Sequence, residues 1–90
     1  MIAEDTTTIV NELGLHARAA AKLVERSNGY ESEVRISCRN KTVNGKSIMG
    51  VLMLAAAKGA ELRIETEGPD AREALDGVMA LITDGFGEMG

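Results

Sequence analysis

Aromatic side chains are almost missing from this chain of 90 residues: Tyr30 and Phe86 stand alone, and there is no tryptophan. Leu, Ile, Val, Met and Ala must therefore fill any core. No strand-like segment carries the aromatic platform on which nucleic-acid-binding sheets stack bases. A single cysteine, Cys38, excludes an internal disulfide and fits a reducing cytoplasm. One histidine beside one cysteine makes no metal-ligand cluster, so neither a metal nor a cofactor is expected. No apolar run approaches the roughly 20 residues that span a bilayer, and residues 1–8 lack the basic flank and apolar stretch of a secretion signal. The net charge of −4 argues against general nucleic-acid binding.

What charge there is lies unevenly. Residues 13–58 hold eight Lys and Arg against three Glu, whereas residues 59–90 hold eight acids against two arginines. A basic middle suits docking onto acidic partners or handling phosphate; a solvated surface with accidental clustering would give the same count. The length fits one domain over residues 1–90, and the 44% hydrophobic content supplies one small core.

Residues 6–12 (TTTIVNE) are β-branched and read as a strand, with Ile9 and Val10 adjacent so that alternation does not say which faces inward. A helix is expected over residues 17–27, with Ala20, Leu23 and Val24 on one face. Asn28-Gly29 is a stop, Gly29 being able to take a left-handed conformation. Residues 33–39 alternate, with Val34, Ile36 and Cys38 on the apolar side. A tight turn at Asn40-Lys41 leads to a short strand around Thr42-Val43. Residues 46–57 read as a short helix running into an apolar connection, and residues 61–67 alternate again, with Leu62, Ile64 and Thr66 inward. In the last helix Asp70 and Glu73 have capping-box spacing, and Ala71, Ala74, Leu75, Val78, Leu81 and Ile82 form the core stripe. Gly77 inside that stripe allows close packing, and the last few residues are expected to fray. The order is βαββαβα, and two strands with one wet face each imply an antiparallel sheet covered by helices on the other, an α+β protein.

Two stretches carry chemistry. Gly14-Leu15-His16-Ala17-Arg18-Ala19 puts the only histidine where a helix begins. First-turn amides lack intrahelical acceptors, and the helix dipole adds partial positive charge, so the position suits an anion. Arg18 brings a permanent cation whose planar fork matches phosphate. An imidazole in that setting can carry a phosphoryl group; equally, one histidine at a helix start can be a simple cap. The second stretch, Lys46-Ser47-Ile48-Met49-Gly50-Val51-Leu52-Met53, has Ser47 as a good N-cap and is rich in methionine. Its methionines either fill an aromatic-poor core or display an adaptable docking surface.

Together, Gly14-Leu15-His16-Ala17-Arg18 and, about thirty residues on, Lys46-Ser47-Ile48-Met49-Gly50 resemble the HPr family, the histidine phosphocarriers of the bacterial phosphoenolpyruvate-dependent phosphotransferase system. The resemblance extends through Gly59-Ala60-Glu61 and Gly68-Pro69-Asp70. It implies an open-faced β-sandwich, a four-stranded antiparallel sheet with three helices packed on one face. It implies that His16 accepts a phosphoryl group at Nδ1 from phosphorylated enzyme I and passes it to an EIIA-type acceptor. Arg18 would hold phosphate oxygens, with the backbone amides of Ala17 and Arg18 capping them; the Ala19 amide, where most of the family has proline, is an additional donor free to point at the anion. Ser47 matches the position that a dedicated kinase, HPr kinase/phosphorylase, phosphorylates in many members. Ile48, Met49 and Leu52 match the docking patch, with Lys22 and Lys46 as cations for acidic partners. The implied protein is a cytoplasmic monomer that is a substrate of enzyme I and not itself an enzyme. Most of the family has proline where this chain has Ala19; that alanine, with the Leu-Met-Leu-Ala-Ala-Ala tract, looks more like the nitrogen-regulatory branch (NPr) than the sugar-transport one.

Three rival readings follow from other features. A regulatory relative acting mainly through Ser47 would be marked by loss of the histidine, and His16 is present. An RNA-binding α/β module would need aromatics on its sheet. A hydrolase would need a base or metal beside the nucleophile, and the sequence near His16 offers none.

Overall fold

The computed structural model describes residues 1–88. Four strands, β1 (Ile2–Thr8), β2 (Glu33–Cys38), β3 (Lys41–Asn44) and β4 (Glu61–Glu67), form one antiparallel sheet in the order β1-β4-β2-β3. Three helices, α1 (Ala17–Asn28), α2 (Ile48–Met53) and α3 (Ala71–Thr83), cover one face, and a 3-10 turn at Gly85–Gly87 follows α3. The chain is thus an α+β open-faced sandwich.

The central strands dictate the layering. Val34, Ile36 and Cys38 on β2 and Leu62, Ile64 and Thr66 on β4 are all buried under the helices. Thr66 is tolerated there because its hydroxyl donates to the Ala71 carbonyl at 2.7 Å. On the wet face Arg35 donates to Glu65 at 2.7 Å and to Glu67 at 2.9 Å, a solvated ladder that adds little stability. From the other side α1 contributes Ala19, Ala20 and Leu23, and α3 contributes Ala71, Ala74, Leu75, Val78 and Ile82. Leu81 is only partly buried against this core. Phe86 is wholly buried and plugs the end of the helix layer.

Several expectations need correction. The first strand is Ile2–Thr8, not residues 6–12: register with β4 ends at the Thr8–Glu61 pair. Ile9 then exchanges backbone bonds with Ala60 and Gly59, at 2.9 and 2.8 Å, as the chain turns inward. Ile9 is the buried member of the Ile9-Val10 pair. Gly29 ends α1 in right-handed geometry, φ −75°, because a 3-10-type bond from its own N–H to Arg26 O closes the last turn. Asp70 makes no side-chain cap to α3. Its carboxylate instead accepts from the Glu31 and Ser32 amides at 3.0 and 2.8 Å and from the Ser32 hydroxyl at 2.6 Å, tying α3's start to β2's start. These bonds, that from the Ser32 hydroxyl first, hold the Asp70 carboxyl below its usual range. Gly77 does permit close packing: a Cβ there would lie 2.8 Å from Tyr30 Cζ. The expected terminal fraying falls on residues 89–90, outside the described residues, and on Glu88, which instead reaches across the molecule.

Candidate functional site

The loop between β1 and α1 folds on a glycine that admits no substitute. Gly14 has φ +64°, and a Cβ on it would lie 2.6 Å from Ala56 O and 2.9 Å from Ala57 Cα. That approach lets the Leu15 amide bond Ala56 O at 2.9 Å, joining the loop to the segment after α2. Buried Asn11 braces the same turn, its Nδ2 donating to Gly14 O at 2.9 Å. With Leu15 buried as an anchor, the next residue is delivered to the N-cap of α1.

That residue is His16, with extended backbone (φ −74°, ψ 178°) and a ring doing a cap's work: Nδ1 accepts from the Arg18 amide at 3.2 Å. The side chain is 27% exposed. Nδ1 therefore carries a lone pair, and the proton of a neutral ring lies on Nε2. Nε2 meets Glu88 Oε2, and Glu88 Oε1 accepts from Asn11 Nδ2 at 2.9 Å. The Asn11 amide first, then His16 and the nearby Lys22 ammonium, hold the Glu88 carboxyl below its ordinary range against the opposing effect of burial.

Charges of both signs surround the ring: the Glu88 carboxylate meets Nε2, and Arg18 and Lys22 stand on the side of the α1 start. No acid occupies the first turn of α1, and Arg18 is exposed with no ion-pair partner among the described residues. An open depression of about 750 Å³ has His16, Ala17, Arg18 and Lys22 on its walls together with Leu13 and two acids, Glu12 and Glu88. Ala17 lies on its rim, whereas Ala19 is fully buried, so its amide is covered in this arrangement. Lys22 is drawn toward the floor by donating to Phe86 O at 2.7 Å.

The residues of the second motif do not line this depression, although α2 packs against α1. Ser47 caps α2, its Oγ accepting from the Gly50 amide at 3.1 Å. Ile48 (42%), Met49 (68%) and Met53 (62%) are exposed, so the methionines do not fill the core and α2 displays them. Leu52 is half-buried and packs against the core, and Lys46 donates to Tyr30 O at 2.8 Å. Sequence reasoning missed Leu13, which is 71% exposed beside the histidine, and it missed Glu88 and Asn11. A buried asparagine in a turn and an acid near a terminus give no local signal; only the fold brings them to His16.

Taken together, the sheet order and the helix layer make an α+β open-faced sandwich that presents a partly exposed imidazole at the electropositive end of α1. Comparisons narrow that description. The family model described as "PTS HPr component phosphorylation site" matches residues 3–84. Phosphocarrier protein HPr of Cupriavidus necator is 52% identical over 82 residues, covering 91% of this chain and 92% of that one. Phosphocarrier protein NPr of Escherichia coli is 40% identical over 89 residues, covering 98% and 99% of the two chains. The crystal structure of HPr-C-His from Thermoanaerobacter tengcongensis superposes with a TM-score of 0.93 at 39% identity, over 98% of this chain and 99% of that one. The chain belongs to the HPr family of phosphotransferase-system phosphocarriers.

Proposed function

We infer that His16 takes a phosphoryl group from phosphorylated enzyme I and passes it to an EIIA-type acceptor, residues 1–90 acting as a single monomeric cytoplasmic domain. The observation that carries this reading is the Nδ1 lone pair held at the mouth of α1, beside an Arg18 guanidinium without a partner among the described residues. As a donor histidine approaches, that lone pair forms the new N–P bond while the donor's N–P bond breaks and its electrons return to the donor ring. One N–P bond replaces another, so the step is close to balanced and reversible, as a carrier requires. The Arg18 amide turns from the ring to a phosphoryl oxygen, the Ala17 amide faces a second, and the guanidinium takes the remaining charge.

Phosphoryl transfer asks chiefly for positioning and charge stabilisation, and the partner supplies the rest of the site across the interface. Ile48, Met49 and Leu52 form the docking patch, with Lys22 and Lys46 meeting acidic rims on the partner. Ser47 serves as the cap and as a regulatory phosphorylation site for an HPr kinase/phosphorylase: about two negative charges there would oppose an acidic partner.

Incubation with enzyme I and labelled phosphoenolpyruvate tests the reading. One acid-labile, base-stable phosphate per chain is expected, and His16→Ala should abolish it. Label that persists in His16→Ala refutes the assignment.

A further inference from the structure

Glu88 lies 72 positions from His16 in sequence, yet its carboxylate bridges the histidine and a buried amide. Three features fix it there. Phe86 is completely buried and anchors the last turn; Lys22 Nζ clamps the Phe86 carbonyl at 2.7 Å; and left-handed backbone at Phe86 (φ 57°) and Gly87 (φ 76°) turns the chain back toward α1. Asn11 donates from Nδ2 to both Gly14 O and Glu88, while its Oδ1 stays buried without a partner. Leaving a buried acceptor unsatisfied is unfavourable, so this asparagine is oriented for what its Nδ2 holds.

Both ring nitrogens of His16 are thus engaged, Nδ1 by a donor and Nε2 by an acceptor. The geometry points to Glu88 as a positioning residue for phosphoryl transfer, its carboxylate holding the His16 Nε2 proton so that Nδ1 stays the nucleophilic atom and the ring's charge is met as the group arrives and leaves. This rests on the carrier reading of His16. When the Nδ1 lone pair forms the N–P bond, the ring becomes cationic; the proton remains on Nε2, facing Glu88. When the group departs, the electrons of that bond return to Nδ1 and the ring is neutral again. The arrangement matches that of a carboxylate behind a catalytic histidine, which keeps the tautomer and stabilises the imidazolium without taking its proton. A cationic ring is also the better leaving group, so the same carboxylate keeps the phosphohistidine labile.

Glu88→Gln and Glu88→Ala, made in the full chain, test this. In the unphosphorylated protein, the Nε2–H resonance should be strongly downfield and slow to exchange; in both variants it should move upfield and exchange faster. Phosphoryl acceptance from enzyme I should fall about tenfold in Glu88→Gln, the difference between a charged and a neutral acceptor. The isolated phosphohistidine should outlast the wild type's. An unchanged Nε2–H signal in Glu88→Gln overturns the proposal, and so does a shifted signal with unaltered acceptance rate and phosphohistidine lifetime. A wild-type chain that shows the Glu88-dependent signal but takes no label overturns the carrier reading itself, and the role of Glu88 with it.

Discussion

Replacing Phe86 by alanine is expected to be costly out of proportion to its place four residues before the end of the sequence. The side chain has no exposed surface and is the largest fully buried one. Truncating a buried Phe to Ala removes about 3–5 kcal/mol through lost transfer energy and the cavity left behind. The strained left-handed backbone at this position remains in Phe86→Ala, so no relief offsets the loss. A chain of this length has about 5–13 kcal/mol of total stability, so the change removes a large fraction of it. At about 4 °C or more per kcal/mol, the melting temperature should fall by about 12 °C or more. With no tryptophan and one tyrosine, the assay is urea and thermal unfolding followed by far-UV circular dichroism. Phe86→Leu should give a smaller loss. A loss below about 1 kcal/mol in Phe86→Ala would mean that the last turn detaches independently of the core, contrary to the packing described.

Gly77→Ala sets helix propensity against space: alanine gains about 1 kcal/mol in a helix, while overpacking against Tyr30 costs about 1–3 kcal/mol. Net destabilisation is expected in the wild type and stabilisation in a Tyr30→Ala background; a stabilising effect in both would contradict the close packing. Because the Asp70 carboxyl is held below its ordinary value in the folded chain, its contribution is complete above pH ~4 and is lost as pH falls through the folded-state value. Urea midpoints of wild type and Asp70→Asn should therefore differ at pH 7, and the gap should narrow as pH falls below ~4; a gap of the same size at every pH argues against the Ser32–Asp70 clamp. Ser47→Asp should slow the phosphorylation of His16 by enzyme I, and an unchanged rate removes the regulatory role from Ser47.

The elements that could be read from sequence are those whose pattern is set by one local face. Alternation marked β2 and β4 correctly, including Thr66 inward, and the stripe from Ala71 to Ile82 marked α3. β1 escaped because it is an edge strand: only Ala3 in it is buried, and its span is set by pairing with β4 some sixty residues away. Asp70 had the spacing of a cap but found stronger donors at Glu31 and Ser32, a choice visible only once β2 and α3 are adjacent. At the site, His16 and Arg18 were legible because a helix start is a local chemical environment. Glu88 and Asn11 were not, since Glu88 reaches the ring through the turn built on Phe86, and Asn11 reaches Glu88 from the loop built on Gly14. The methionines of α2 were ambiguous because a six-residue helix is too short for its periodicity to separate a buried face from a displayed one.

Onward transfer addresses the carrier role most directly. Phosphorylated protein, freed of enzyme I, is mixed with an EIIA-type acceptor, and the label on each chain is followed with time. Label should leave His16 as it appears on the acceptor, one for one, and return when phosphorylated acceptor is the starting material. Label released only as inorganic phosphate, or retained by the chain in the presence of the acceptor, would contradict the carrier role.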